Sequence, residues 1–169
     1  GKILRHASAG GLVFGICGGY QMLGAEVHDP DGVEAGAGKC VRGMELLPAR
    51  TVFEPEKHRT QITGHFGIVQ GAFAELTDVP FAGYEIHMGK TECMGETEPL
   101  LHLDSGTADG MQHGNVYGCY IHGIFDQAEV VTAVLKTILK RKGLDADQVK
   151  NIDRKQYKEE QYDKLADII

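Results

Sequence analysis

A cysteine set among glycines, in Gly15-Ile16-Cys17-Gly18-Gly19-Tyr20-Gln21-Met22-Leu23-Gly24, is the residue best placed to do covalent chemistry. A thiolate attacking an acyl carbon forms a thioester, and the attack needs a base close in space, most often a histidine far away in sequence. The chain holds eight histidines. His6, His28 and His58 sit in polar surroundings, His102 and His113 flank a polar loop, and His65 lies in a candidate strand beside Gly64. Two have stronger contexts: His122, in Tyr120-Ile121-His122-Gly123-Ile124-Phe125-Asp126, and His87, in Gly83-Tyr84-Glu85-Ile86-His87-Met88-Gly89. Each closes an apolar strand next to a glycine, and open α/β sheets place their sites at the C-terminal ends of strands.

The elements that must hold Cys17 follow from its flanks. The apolar run Leu12-Val13-Phe14-Gly15-Ile16 reads as a strand buried on both faces, and Tyr20-Gln21-Met22-Leu23 reads as the first turns of a helix. Cys17 then occupies a strand-to-helix corner, where glycines permit close approach and the central residue is strained. The same corner with a serine is a nucleophile elbow. The following helix is expected to favour the thiolate, and the Gly18 N–H to face an oxyanion.

Further along, Asp29-Pro30-Asp31-Gly32 reads as a turn, Gly32 to Gly43 as a loop, and Gly43 to Phe53 as a strand interrupted near Pro48. Glu54-Pro55-Glu56-Lys57 reads as an exposed turn, Gln61 to Gln70 as a strand with a bulge at Gly64, and Phe81 to His87 as a strand ending at Met88-Gly89. Leu100 to Leu103 and Val116 to Ile121 are expected to pair with each other. Helices are expected over Lys2 to Ala9, around Val130, Val131, Val134, Leu135, Ile138 and Leu139, and over Arg154 to Ile168. Asp126 with Glu129 would cap the second of these, which Gly143 ends. Asp153 would cap the third, whose apolar side is Tyr157, Leu165 and Ile168.

With 169 residues, 42% hydrophobic and 24% charged, the chain suits one globular domain, residues 1–169. A net charge of −7 with no long basic run argues against nucleic acid as a partner. No apolar stretch is long enough to span a membrane. Cys17, Cys40, Cys93 and Cys119 form no C-x-x-C pair, so no zinc site or other metal centre is expected. A reduced, cytoplasmic protein is expected. The chain opens without Met, with only a short helix ahead of the elbow strand, so a piece of a longer polypeptide lacking the first strands of its sheet is also expected.

The elbow resembles the nucleophile motif of the class I, triad-type glutamine amidotransferases. Together with the His87 and His122 segments and Leu47-Pro48-Ala49-Arg50-Thr51-Val52-Phe53, it resembles the cobyric acid synthase branch of that family. The resemblance covers nearly the whole chain. It implies a flavodoxin-like α/β fold, an open and mostly parallel sheet with flanking helices. It implies a glutaminase that releases ammonia through a thioester on Cys17, with His122 as the catalytic histidine, Gly18 in the oxyanion hole, and Gln21, His87, Met88 and Gly89 against the substrate glutamine. It also implies a separate N-terminal synthetase domain, where ATP and Mg2+ would activate carboxylates of a corrin, and no cofactor in the glutaminase domain itself.

Two departures from the family pattern stand out. The residue two after His122 is Ile124, where triad enzymes carry the glutamate that orients the histidine. Glu85 is the candidate substitute, since strand alternation puts it on the side of His87, while Asp126 reads as a helix cap. The glycine-rich loop that would give the second oxyanion donor does not precede the elbow. Other readings are the glutaminase partner of another ATP-dependent amidoligase, such as one amidating cell-wall lipid precursors, and a docking module of the same fold without activity.

Overall fold

The computed structural model describes residues 1–34, 36–147, 149 and 154–166. Helix α1 (Lys2–Ser8) leads into strand β1 (Val13–Ile16), and α2 (Gly18–Leu23) follows after the single residue Cys17. Then come β2 (Glu26–Asp29), β3 (Lys39–Arg42), the long β4 (Ala49–Phe66), a short 3-10 turn (Gly71–Leu76), β5 (Pro80–Cys93), β6 (Pro99–Leu103), β7 (Ala108–His113) and β8 (Val116–Cys119). A second 3-10 turn (Ile124–Asp126) precedes α3 (Ala128–Arg141), and α4 (Arg154–Ala166) lies near the end. One sheet runs β1-β8-β7-β6-β4-β2-β3, with β5 paired to β4.

The α/β architecture with flanking helices stands, but the sheet is mixed where a mostly parallel one is expected. Among the described residues, only β1 with β8 and β2 with β4 run parallel. The pairs β2–β3, β4–β5, β4–β6, β6–β7 and β7–β8 run antiparallel. The short connections explain this, because parallel neighbours need a crossover of a dozen or more residues. The parallel pair β1–β8 is the one that matters for the elbow: Ile16 lies opposite Cys119, so both strands reach the same edge together.

Other expectations are corrected in the same way. The stretch from Gly32 to Gly43 is not all loop, since β3 lies inside it, and β2 runs ahead of the Asp29 turn. Neither strand shows apolar alternation, and all four residues of β3 are exposed at the sheet edge, so the sequence signal is weak. Residues 43–48 are irregular and the strand begins at Ala49. Glu54-Pro55-Glu56-Lys57 is no turn: it continues β4 through a register break between Phe53 and His58, where a proline costs no ladder bond. At Gly64 the register is unbroken; a Cβ there would lie 2.2 Å from the His102 carbonyl oxygen, so close strand approach explains the glycine. β5 runs past His87 to Cys93. Leu100–Leu103 and Val116–Ile121 do not pair, because β7 lies between β6 and β8.

Two buried clusters hold the sheet. One joins Phe66, Phe73, Leu76, Phe81, Leu100, Tyr117 and Ile121 to Val130 and Ala133 of α3. The other joins Ala7 of α1 and Tyr20 and Leu23 of α2 to Leu47, Ala49, Met111, Val116 and Tyr120. Gln127, not Asp126, is the N-cap of α3, since Asp126 belongs to the preceding 3-10 turn. Gly143 ends the helix at φ 68°, a conformation glycine adopts freely. In α4, Tyr157, Tyr162 and Leu165 are exposed, so the expected apolar side is unpacked. The Asp153 cap and Ile168 fall outside the described residues. No described helix is long and apolar enough to cross a membrane.

Candidate active site

Cys17 has φ 53° and ψ −116°, a left-handed conformation that a side chain adopts only under constraint. The constraint is visible on both sides. The Cys17 N–H donates to the Cys119 carbonyl at 2.9 Å, extending the β1–β8 ladder, and the Cys17 carbonyl accepts the Gln21 N–H at 3.1 Å, starting α2. The glycine at position 15 is required by space: a Cβ would lie 2.6 Å from Leu23 Cδ1 and 2.8 Å from the backbone of Gly19 and Tyr20. A Cβ at Gly18 would meet nothing within 4 Å, and the Gly18 N–H acts on the Cys17 sulfur.

The Cys17 thiol donates to the Ile86 carbonyl of β5 at 3.5 Å. Burial pushes its pKa above the ordinary thiol value, and the Gly18 N–H pulls it back only in part. The Gly18 amide at the start of α2 favours the thiolate, as expected, but the desolvation of a half-buried sulfur outweighs it. A protonated thiol needs a base.

His122 lies just beyond β8, past the residue that pairs with Ile16. A two-way backbone bridge fixes it to β5: the Tyr84 N–H donates to the His122 carbonyl at 3.0 Å, and the His122 N–H to the Tyr84 carbonyl at 2.8 Å. The imidazole stacks on the Tyr84 ring, with centroids 5.1 Å apart and planes within 8°. Its Nε2 is buried and has no hydrogen-bond partner, one of two such side-chain atoms among the described residues. A buried polar nitrogen left unpaired costs about 1–3 kcal/mol, and a catalytic role is one reason a native protein keeps such an atom. Tyr84 and Ile86 are two apart on one strand, so β5 holds the Cys17 thiol at one position and the His122 ring at the other. The same two residues, with Arg59, Thr60 and Gln61 of β4, line an open cleft of about 490 Å³.

The other candidate residues gather around Tyr120. His87 stacks on the Tyr120 ring at 3.7 Å, and Gln21 Nε2 donates to the Tyr120 hydroxyl at 3.3 Å. That hydroxyl also meets Thr91 Oγ1 at 2.6 Å, which in turn meets Thr51 Oγ1 at 2.7 Å. Gly89 is buried beside Gln21, leaving 2.7 Å between a Cβ and Gln21 Nε2, and Met88 is half-buried. Both ring nitrogens of His87 face acceptors: Nδ1 lies 2.7 Å from the Gly89 carbonyl and Nε2 lies 2.6 Å from Glu85 Oε1. Only the imidazolium donates to both. Burial draws the His87 pKa down, but the hydrogen bond and charge of Glu85 and the Gly89 carbonyl reverse this, leaving it raised. Glu85 and His87 thus share a face, as alternation predicts, and are bonded to each other. Tyr84, the Ile86 carbonyl and Tyr120 went unremarked in the sequence. The available signal was alternation along β5, which separates Tyr84 and Ile86 from Glu85 and His87.

Behind this layer, Asp109 accepts the Tyr120 N–H at 2.8 Å. Burial raises its pKa from 3.8 to about 6 against the pull of the Tyr120 and Gly110 amides, with the Glu85 charge adding to the rise. A carboxyl whose pKa is higher in the folded state contributes stability below its unfolded pKa, and that contribution is lost as pH rises through the folded value. The thermal midpoint should therefore lose this contribution between about pH 4 and 6. Asp109→Asn keeps an acceptor for Tyr120 and should flatten that part of the profile in a thermal-melt series; an unchanged slope would contradict the assignment.

Comparison with known proteins decides the family. The model of the CobB/CobQ-like glutamine amidotransferase domain matches residues 1–130, which include both Cys17 and His122. The chain belongs to the CobB/CobQ-like glutamine amidotransferase domain family. It is 44% identical to the cobyric acid synthase of Lachnoclostridium phytofermentans over 180 aligned residues, and 45% identical to that of Ruminiclostridium cellulolyticum over 174. Each match covers 99% of this chain but only 35% and 34% of those relatives, so the amidotransferase domain spans about a third of their length. Among solved structures it is similar to PurLQS from Thermotoga maritima, with a TM-score of 0.58 and 16% identity over 83% of this chain and 66% of that one. It is also similar to a GMP synthase component from Thermoplasma acidophilum, with a TM-score of 0.53 and 11% identity over 83% and 64%. These two likenesses show the fold of the amidotransferase domain.

Proposed function

We propose that this domain is the glutaminase part of a cobyric acid synthase, and that Cys17 and His122 carry its chemistry as a pair. The carrying observation is the unpartnered, buried His122 Nε2 at the same sheet edge as a strained, protonated Cys17. Glutamine enters the cleft lined by Tyr84 and Ile86, where Arg59 offers a fixed positive charge to its α-carboxylate. His122 takes the thiol proton as Sγ attacks the side-chain amide carbon, and the carbonyl π pair moves onto oxygen. The Gly18 N–H stabilises that oxyanion. The intermediate collapses as the C–N bond breaks, and His122 gives its proton to departing ammonia. Water, deprotonated by His122, then attacks the thioester and releases glutamate and the free thiol.

Gln21, His87, Met88 and Gly89 form the wall beside this centre. Glu85 serves His87 as its counter-ion, holding β5 in the position that presents Tyr84 and Ile86. The ammonia goes to a synthetase domain of the same polypeptide, which uses ATP and Mg2+ to activate corrin carboxylates. No residue of the glutaminase domain is assigned to ATP or to the corrin. The test is isotopic: the intact synthase is given ATP, Mg2+, a corrin acid and glutamine labelled with 15N in its side-chain amide. The new corrin amides should carry the label. Hydrolysis of glutamine with unlabelled corrin would point to an amidoligase acting on another acceptor.

A further inference from the structure

We propose a zinc-type metal site on the β2–β3 hairpin, formed by Glu26, His28 and Cys40. The hairpin register sets His28 directly opposite Cys40, and Glu26 lies two residues from His28 on the same face of β2. His28 Nε2 is 2.8 Å from Glu26 Oε2 and 3.6 Å from Cys40 Sγ, and all three atoms lie within 4.8 Å of one another. β3 is the last strand on its side of the sheet, so the group opens to solvent.

The convergence of both groups on one nitrogen suits a shared cation better than a proton relay. A proton relay needs the carboxylate on one ring nitrogen and the thiol on the other. Here both face Nε2, which carries at most one proton. If Nε2 donates to Glu26, the thiol has no acceptor there. If the thiol donates to Nε2, two lone pairs face each other at 2.8 Å. A divalent cation satisfies all three at once. Carboxylate oxygen, imidazole nitrogen and thiolate sulfur together are a borderline-soft donor set that suits Zn2+, with water in the fourth position. Tetrahedral zinc places such donors about 3.3–3.8 Å apart, which these side chains reach by small rotations. Cysteine spacing gives no hint of the site, because its donors come from two strands joined only by the hairpin.

Zinc alone, added to the metal-free full chain, is the probe. At ten times its Kd, Zn2+ should slow alkylation of Cys40 about tenfold while leaving the exposed Cys93 unaffected, and a chelator should reverse the effect. In a Cys17→Ala background, which removes the thiol assigned to glutamine hydrolysis, one equivalent of Co2+ should give a thiolate charge-transfer band. Cys40→Ser should abolish the band and His28→Gln should weaken binding at least tenfold. Equal alkylation of Cys40 and Cys93 with and without zinc, or a band that survives Cys40→Ser, would overturn the site.

Discussion

Cys17→Ala abolishes glutamine-dependent amidation by the intact synthase and leaves amidation from free ammonia near its original rate. Under the proposed function the two arms separate, because the cysteine would work only in freeing ammonia while carboxylate activation would belong to the synthetase domain. Loss of a covalent nucleophile that acts as a unit with its base costs on the order of 10⁴–10⁶ in turnover. The substitution is expected to leave the fold in place: the backbone bonds that fix position 17 run to Cys119 and Gln21, and the side chain adds a single long contact to Ile86. A parallel assay with glutamine and with an ammonium salt checks it. Loss of both activities would show that Cys17 does more than release ammonia.

His122→Leu inactivates glutamine hydrolysis without destabilising the domain. General acid–base catalysis contributes about 10²–10⁴-fold, the loss expected when the imidazole is removed. The stability half of the expectation comes from the buried, unpartnered Nε2. An apolar side chain of similar size removes that burden, so the thermal midpoint holds or rises, as at many catalytic positions. The backbone bridge to Tyr84 uses main-chain atoms and survives the change. Unfolding curves and steady-state glutamate release measure the two effects together. A lowered midpoint with activity retained would make His122 a packing residue.

The elbow, His122 and the His87 segment were legible because their signals are local. Glycines at 15, 18 and 19 and an apolar run before Cys17 report a sharp corner directly, and the corner is there at φ 53°. What escaped depends on packing. The β2–β3 hairpin is a polar sheet edge with no alternation, and β7 hides in a polar stretch whose Met111 and Gln112 are buried only by their neighbours. The state of the Cys17 thiol depends on burial, which no spacing reveals, and burial overrides the helix end. The same holds for Glu85: alternation placed it beside His87, and only three dimensions showed the two ring nitrogens of His87 bonded at both ends.

The most direct measurement is covalent labelling with a glutamine-mimicking electrophile, read by peptide mapping of all four cysteines. The intact synthase should be modified at Cys17 alone, glutamine should protect it, and His122→Leu should slow the labelling, although Cys40 and Cys93 are more exposed. Modification that falls on Cys40 and Cys93 and spares Cys17, or that ignores added glutamine, would contradict Cys17 and His122 as a glutaminase pair.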